Sequence, residues 1–366
     1  MSLSRSQFLL TMAGAAVGFG AELTSRDEQW EDTQSRRPVV DFHVHLFGVG
    51  DGGTGCLMSA DQKRRLNFRF LLRLLHLSEN GHLDQDYLDL LVSQLQNSSV
   101  TKAVLLAQDS RYDTQGRPDY EHTSFYVPND YLLNVCERFP SLFVPSVSIN
   151  PKHHDAIDEL NRCVERGARV LKIHPPIQNV DPGEVRFRPF YRRCAETGII
   201  VMVHTGTGHS AEIVGDSYSD PLRLVPALEE GCTVVAAHTG TAAFFDRESF
   251  FPHMISMLER FPKLYYDTSI MASTFRWRTL PRLLETPEVL SRAIHASDFP
   301  FPSNAVVRWN RLSPTRMLSL ASEHNLMERD YRLKQAIGLP QNVFEAGAQL
   351  PCLPSLIHCS AVPRLL

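Results

Sequence analysis

The stretch Val39-Val40-Asp41-Phe42-His43-Val44-His45-Leu46-Phe47 places two imidazoles two residues apart at the end of an apolar run. Side chains on a strand alternate faces, so His43 and His45 are expected to point the same way. Two neutral imidazoles on one face can chelate a borderline-soft divalent ion such as zinc, a task for which a helix needs histidines four apart. Asp41 shares their parity and is expected on the same face, either orienting a ligand by a hydrogen bond or simply ending the strand interior. A strand with two chance histidines is the plain alternative, and the rest of the chain decides between the two.

Beyond Pro38 the sequence repeats a pattern of short β-rich apolar run, loop and amphipathic segment. The runs fall at 39–47, 102–108, 142–150, 169–175, 199–205, 233–239, 263–269 and 292–299. Helical spacing marks 83–96, 130–139, 153–166, 187–197, 221–230, 250–261 and 281–290, with Gly167, Gly198 and Gly231 placed where helices end. Several runs are apolar on both faces, as in a parallel sheet covered by helices. The pattern predicts an α/β fold, a (β/α)8 TIM barrel forming a single domain over 37–350, with a doubly wound open sheet as the alternative. A helical insertion at 48–83 follows strand 1, and 351–366 reads as a tail.

Residues 1–36 read as a leader. Ser4-Arg5-Ser6 precedes the small apolar run from Thr11 to Gly20, the layout of an export signal similar to the twin-arginine type, although Ser6 breaks the defining pair. The expected address is therefore the periplasm if that signal works and the cytoplasm otherwise. The run is too short for an integral membrane span.

The 366 residues, 43% hydrophobic with a formal net charge of −4, carry no basic footprint for nucleic acid, so a small-molecule substrate is expected. Seven scattered cysteines without a C-x-x-C pair argue against a cysteine zinc cluster or a disulfide framework. The Gly-rich piece 48–55 lacks the Gly-Lys-Ser/Thr ending of a phosphate loop and reads as a flexible loop beside the site. Residues 63–75 read as a helix with a basic and an apolar face, suited to a lid on the barrel mouth, a membrane surface or a homodimer contact.

Catalytic groups of a barrel collect at the C-terminal ends of its strands. Strand four ends Leu171-Lys172-Ile173-His174-Pro175-Pro176, strand five Val203-His204-Thr205-Gly206, strand six Ala237-His238-Thr239-Gly240 and strand eight His295-Ala296-Ser297-Asp298-Phe299. With strand one, five strand ends present a His or Asp, which turns isolated structural readings into a joint functional one. Lys172 shares parity with His174 and should also face the interior, where both are candidates to bind substrate; a buried amine paired with an acid is the plainer role for Lys172. Arg276 and Arg278 after strand seven, and Arg111 and Tyr112 after strand two, line the expected mouth, where Arg276 could grip a substrate carboxylate.

On these residues the chain resembles the amidohydrolase superfamily, within it the amidohydrolase-related group that includes aminocarboxymuconate semialdehyde decarboxylase, over roughly 38–350. His43-Val44-His45, His204, His238 and Asp298 match the family's ordered set. The resemblance implies one divalent metal ion, zinc, held by His43, His45, His204 and Asp298, with His238 and Asp298 as the catalytic acid-base groups. In binuclear members a carboxylated strand-four lysine bridges two metals; Lys172 in that role would pass His204 and His238 to a second ion. The expected activity is a metal-dependent hydrolase acting on a C–N or C–O bond. The alternative is a non-oxidative carboxy-lyase of an unsaturated or aromatic acid, and a metal-retaining but idle binding barrel is the non-enzymatic rival.

Overall fold

The computed structural model describes residues 37–208, 210–243, 246, 249–276, 280–308, 310–351 and 353. The expected leader and export signal, Arg278 and most of the tail lie outside those residues.

Eight strands run parallel and in chain order round one sheet. They are β1 (Val40–His45), β2 (Lys102–Leu106), β3 (Phe143–Ser148), β4 (Val170–Ile173), β5 (Ile200–His204), β6 (Val234–Ala237), β7 (Leu264–Asp267) and β8 (Ala293–Ile294). Each is shorter than its apolar run, because the last residues of the run leave the ladder to form the mouth. The ring closes between β1 and the chain beyond β8. Phe42 N donates to His295 O (3.0 Å), His45 N to Phe299 O (2.9 Å) and Asp298 N to His43 O (3.0 Å). This is the TIM barrel that the repeating pattern predicts.

Val40, Phe42, Val104, Leu106, Val144, Val170, Ile200 and Met202 fill the interior, while Val39, Val44 and their equivalents pack outward beneath the helices. Gly198 ends the helix Arg188–Thr197 at φ 72, a left-handed residue that turns the chain into β5. Residues after 346 stop the barrel from below, since Ala348, Leu350 and Leu353 join the interior cluster. A Cβ on Gly347 would lie 3.3 Å from side-chain atoms of Phe42 and Val40, so a larger residue there would press on the floor of the barrel. The segment that reads as the start of a tail therefore completes the core.

The insertion lies over the mouth. Leu57–Met58 pairs with Phe125–Tyr126, and Gln62 Nε2 and Asn67 Nδ2 both donate to Ser210 O (3.0 and 2.9 Å) in the loop after β5. The basic-apolar segment is two helices, Ala60–Arg64 and Leu66–Leu74, because Arg65 is extended at ψ 140. The Gly-rich loop is pinned, in contrast to the flexible one expected. Asp84 accepts from Val49 N (2.6 Å), Gly50 N (3.1 Å) and the Thr54 hydroxyl, and a Cβ on Gly48 would sit 2.5 Å from its carboxylate. Among the described residues no helix is long and apolar enough to cross a membrane. The five described cysteines are buried and unpaired, as reduced core residues should be.

On the outer face of the β1–β8 seam, helix Leu326–Ala336 brings a buried ion pair: Lys334 Nζ donates to Asp330 Oδ2 and to Ala296 O, both at 2.6 Å. His295 faces this side, away from the mouth, with its ring 5.0 Å from Phe344 and 6.1 Å from Tyr331. Burial, with the Lys334 ammonium second, holds its imidazole well below the ordinary 6.5. A ring kept neutral when folded but protonated below about 6.5 when unfolded costs stability as pH falls below that value. His295→Phe removes the cost. Relative to the parent, the variant is expected to gain up to about 1.4 kcal/mol per pH unit below about pH 6.5, read from urea midpoints at about pH 7.5 and 5.5. An unchanged difference between the two pH values would contradict this.

Candidate metal centre

The first strand is bulged. Its ladder with β2 runs Val40↔Lys102 and Asp41↔Ala103, then resumes at Val44↔Leu105 and His45↔Leu106. The slip reverses the alternation. Val40 and Phe42 face the interior whereas Val44 faces the helices, so Asp41 points outward and His43 and His45 inward. Asp41 thus does not share a face with His43, as simple parity predicts. It acts on the backbone instead: its Oδ1 accepts from His43 N (3.1 Å) and Ser297 N (2.9 Å), tying the two strand ends across the seam. Burial pushes its carboxyl up to about 7 against those two hydrogen bonds.

Across this seam three donor atoms converge. His43 Nε2 lies 3.2 Å from His45 Nε2 and 3.2 Å from Asp298 Oδ1, and His45 Nε2 lies 3.1 Å from that same oxygen. His43 is 1% exposed and Asp298 4%, while the His45 side chain, 19% exposed, forms the open side of the cluster. Burial raises the Asp298 carboxyl, but His43 and His45 outweigh it and leave it below the usual range. Asp298 reaches its place with φ 67, and at the end of β6 His238 and Thr239 have φ 62 and 58. Left-handed backbone at non-glycine residues is strained; it recurs at Ile270 (φ 55) just beyond β7, and away from the strand ends at His76 and Asn179.

Asp267, at the end of β7, is a residue the sequence reading passes over. Its Oδ2 accepts from His43 Nδ1 (2.8 Å), and its Oδ1 from His238 N (2.8 Å) and Ser269 N (3.1 Å) as well as from the Ser269 hydroxyl. Ser269 Oγ lies 2.8 Å from His238 Nδ1. The available signal is the run Tyr265-Tyr266-Asp267-Thr268-Ser269, an acid at the C-terminal end of a barrel strand. Among the described residues, donors lying within 4.8 Å of one another form two groups, His43, His45 and Asp298, and His43, His238 and Asp267.

His204 stands in neither group. Its ring stacks on His174 at 4.1 Å and meets His238 at 4.7 Å, and its Nε2 is buried without a partner, close to where a Cβ on Gly208 would lie (3.3 Å). His174 is buried too, with Nδ1 unpartnered and its backbone N donating to Gln178 Oε1 (2.6 Å). Burial holds His43, His174, His204 and His238 well below 6.5, so all four are neutral and their lone pairs available.

Lys172 lies inside the barrel, as its parity predicts, with Nζ 3.4 Å from His43 Nε2. Burial lowers it to about 8, against the pull of Asp267 and Asp298. Arg276 is buried between the loops that follow β5 and β6. It donates to Thr207 O and Thr241 O, and to Thr241 Oγ1 at 3.0 Å, which engages both terminal nitrogens with the protein itself. Burial lowers the guanidinium to about 10 even so. Arg111 likewise donates to Ile177 O (2.9 Å) and Glu212 O (3.0 Å), and Tyr112 packs beside Asp109.

The family model described as Amidohydrolase matches residues 40–307. No curated protein matches this chain. Among solved structures the chain is similar to an uncharacterized TIM-barrel protein from Bordetella bronchiseptica, at TM-score 0.54 and 18% identity over 82% of this chain and 99% of that one. It is also similar to 5-carboxyvanillate decarboxylase from Sphingomonas paucimobilis, at TM-score 0.51 and 12% identity over 86% and 98% of the two chains. At these identities the likeness is one of fold.

The bonds of Arg276 generate a stability prediction. Arg276→Met leaves the carbonyls of Thr207 and Thr241 without their donors inside the protein, at a cost of about 1–3 kcal/mol in chemical unfolding. A variant as stable as the parent would return Arg276 to the role of a free substrate contact.

Proposed function

Because this chain belongs to the amidohydrolase family, we propose that it is a metal-dependent hydrolase acting on a C–N or C–O bond of a small molecule. In this reading His43, His45, His204 and Asp298 hold one divalent ion and His238 moves the proton. The observation that carries it is the convergence of His43 Nε2, His45 Nε2 and Asp298 Oδ1 at 3.1–3.2 Å from one another. Three donors bonded at about 2.0–2.2 Å to one cation stand roughly 3.0–3.5 Å apart, so the residues fit the group. Hydrogen bonding alone does not account for the cluster, since His43 gives its ring proton to Asp267 and turns toward His45 and Asp298 an Nε2 lone pair that Lys172 Nζ meets only at 3.4 Å. His204, whose Nε2 meets no partner, is the fourth donor in this reading; it stands outside the 4.8 Å group and has to swing toward the ion to join it. Imidazole nitrogens with a carboxylate oxygen suit zinc, the preferred ion here, and manganese as well.

Bound there, the ion would supply Lewis acidity, bringing the pKa of water from 15.7 to about 7 and polarising a carbonyl. The chain supplies the rest. Neutral His238 accepts a proton from the attacking oxygen and returns it to the leaving group, while the Asp298 carboxylate is a second proton acceptor at the same centre. Unpartnered His174 Nδ1 and the Lys172 amine orient substrate at the inner wall. The lid, held to Ser210, limits access of bulk water.

A carboxy-lyase acting on an unsaturated or aromatic acid is the second reading. Lys172 favours it, being a buried amine 3.4 Å from His43 Nε2 and able to attract a substrate carboxylate. A screen of esters, lactones, amides and unsaturated acids, before and after chelation, tests both. Activity should vanish on chelation and return with zinc or manganese; an organic product carrying one oxygen-18 atom from labelled water marks the hydrolase, and carbon dioxide released with an organic product free of oxygen-18 marks the lyase. A panel flat in every metal state would overturn the enzymatic proposal.

The division of roles has its own outcome. His43→Ala should empty the site in metal analysis, whereas His238→Asn should retain the ion and lose roughly 100- to 10,000-fold in turnover. Loss of the ion from His238→Asn would contradict the single-ion scheme.

A further inference from the structure

We propose that Asp267 is a positioning residue that fixes the ring tautomers of both His43 and His238, the first directly and the second through Ser269. The inference rests on the reading in which His43 binds the cation and His238 moves the proton. The ring tautomers can be read without activity and without metal.

Four donors surround the Asp267 carboxylate. Oδ2 faces only His43 Nδ1 among the donors named above, at 2.8 Å. Oδ1 receives His238 N–H, Ser269 N–H and the Ser269 hydroxyl. A carboxylate with this many donors accepts everything and gives nothing, so His43 must carry its proton on Nδ1 and its lone pair on Nε2, the atom turned toward His45 and Asp298. Ser269 has a single hydroxyl proton, and the charged carboxylate is the stronger acceptor for it. Its oxygen, 2.8 Å from His238 Nδ1, is then an acceptor, so His238 also carries its proton on Nδ1 and presents an Nε2 lone pair. One buried acid therefore gives the two rings, 5.0 Å apart, the same tautomer for different work: one to bind a cation, the other to receive a proton. When His238 takes a proton on Nε2, the Nδ1 proton stays in place and the chain through Ser269 sets the carboxylate against the new positive charge.

The Asp267→Asn variant reverses the first assignment. Three donors hold the Oδ1 position, so the amide oxygen must occupy it and the NH2 must face His43 Nδ1. That nitrogen can then only accept, which moves the ring proton to Nε2 and removes the lone pair from the cluster. Nitrogen-15 NMR of the full chain labelled at histidine, metal-free and near neutral pH, reads the tautomers; competition against a chromogenic chelator reads Zn2+ affinity. The parent should show Nδ1–H on His43 and His238. Asp267→Asn should move the His43 proton to Nε2 and weaken Zn2+ binding roughly 10- to 100-fold. Ser269→Ala should leave Zn2+ affinity unchanged but release His238 to the other tautomer or a mixture. Nε2–H on either ring of the parent would overturn the proposal, as would parental Zn2+ affinity in Asp267→Asn or an unaltered His238 signal in Ser269→Ala. If Asp267→Asn fails to fold, the parent and Ser269→Ala spectra still decide. A parent that binds neither Zn2+ nor Mn2+ yet shows both Nδ1 protons would sink the metal reading and leave the positioning role standing.

Discussion

Closure of the barrel between its first and last strands is the constraint on which the rest of the centre depends. His43 and Asp298 are 255 positions apart in the chain, yet Asp298 N donates to His43 O across the seam. Asp41 holds the same junction from outside by accepting from both His43 N and Ser297 N. Behind it Lys334 grips the carbonyl of Ala296. The two strand ends are thereby fixed by backbone bonds on one face and buried charge on the other, and the left-handed turn at Asp298 is held by its surroundings rather than by its own preference.

Burial does the electrostatic work inside that frame. It keeps the four inner histidines neutral, which suits them to donate lone pairs, and it would expel the charges of Lys172, Arg276, Asp267 and Asp298 if they stood alone. They are instead interleaved. Asp267 and Asp298 both act to keep Lys172 and Arg276 charged, and Lys172 in turn helps to hold Asp298 low. Opposed charges in a dry pocket interact far more strongly than in water, which is the setting in which a bound cation or an acid-base histidine is effective.

Much of this was legible in the chain because a parallel barrel writes itself as spaced apolar runs, and because strand-end histidines stand out against them. Less legible was anything decided by contact between distant segments. The slip between Asp41 and Val44 is forced by pairing with β2, so alternation along β1 alone puts Asp41 on the wrong face. Asp267 is one acid after two tyrosines, and only the neighbouring β1 and β6 reveal that it binds His43 and His238. The apolar-basic segment of the lid reads as one helix, since nothing local announces the extended residue Arg65 between its two pieces. Arg276 looks like a mouth arginine until the carbonyls of Thr207 and Thr241 take its nitrogens. His295 lies in the same strand-end run as Asp298 but faces the opposite side of the seam.

The central claim is that one cation belongs at the point shared by the first and last strands. Anomalous diffraction from crystals loaded with zinc tests it most directly. The account predicts a single strong peak within about 2.0–2.2 Å of His43 Nε2, His45 Nε2 and an Asp298 carboxylate oxygen. A peak bound elsewhere, or fully loaded crystals with no density at that point, would contradict it.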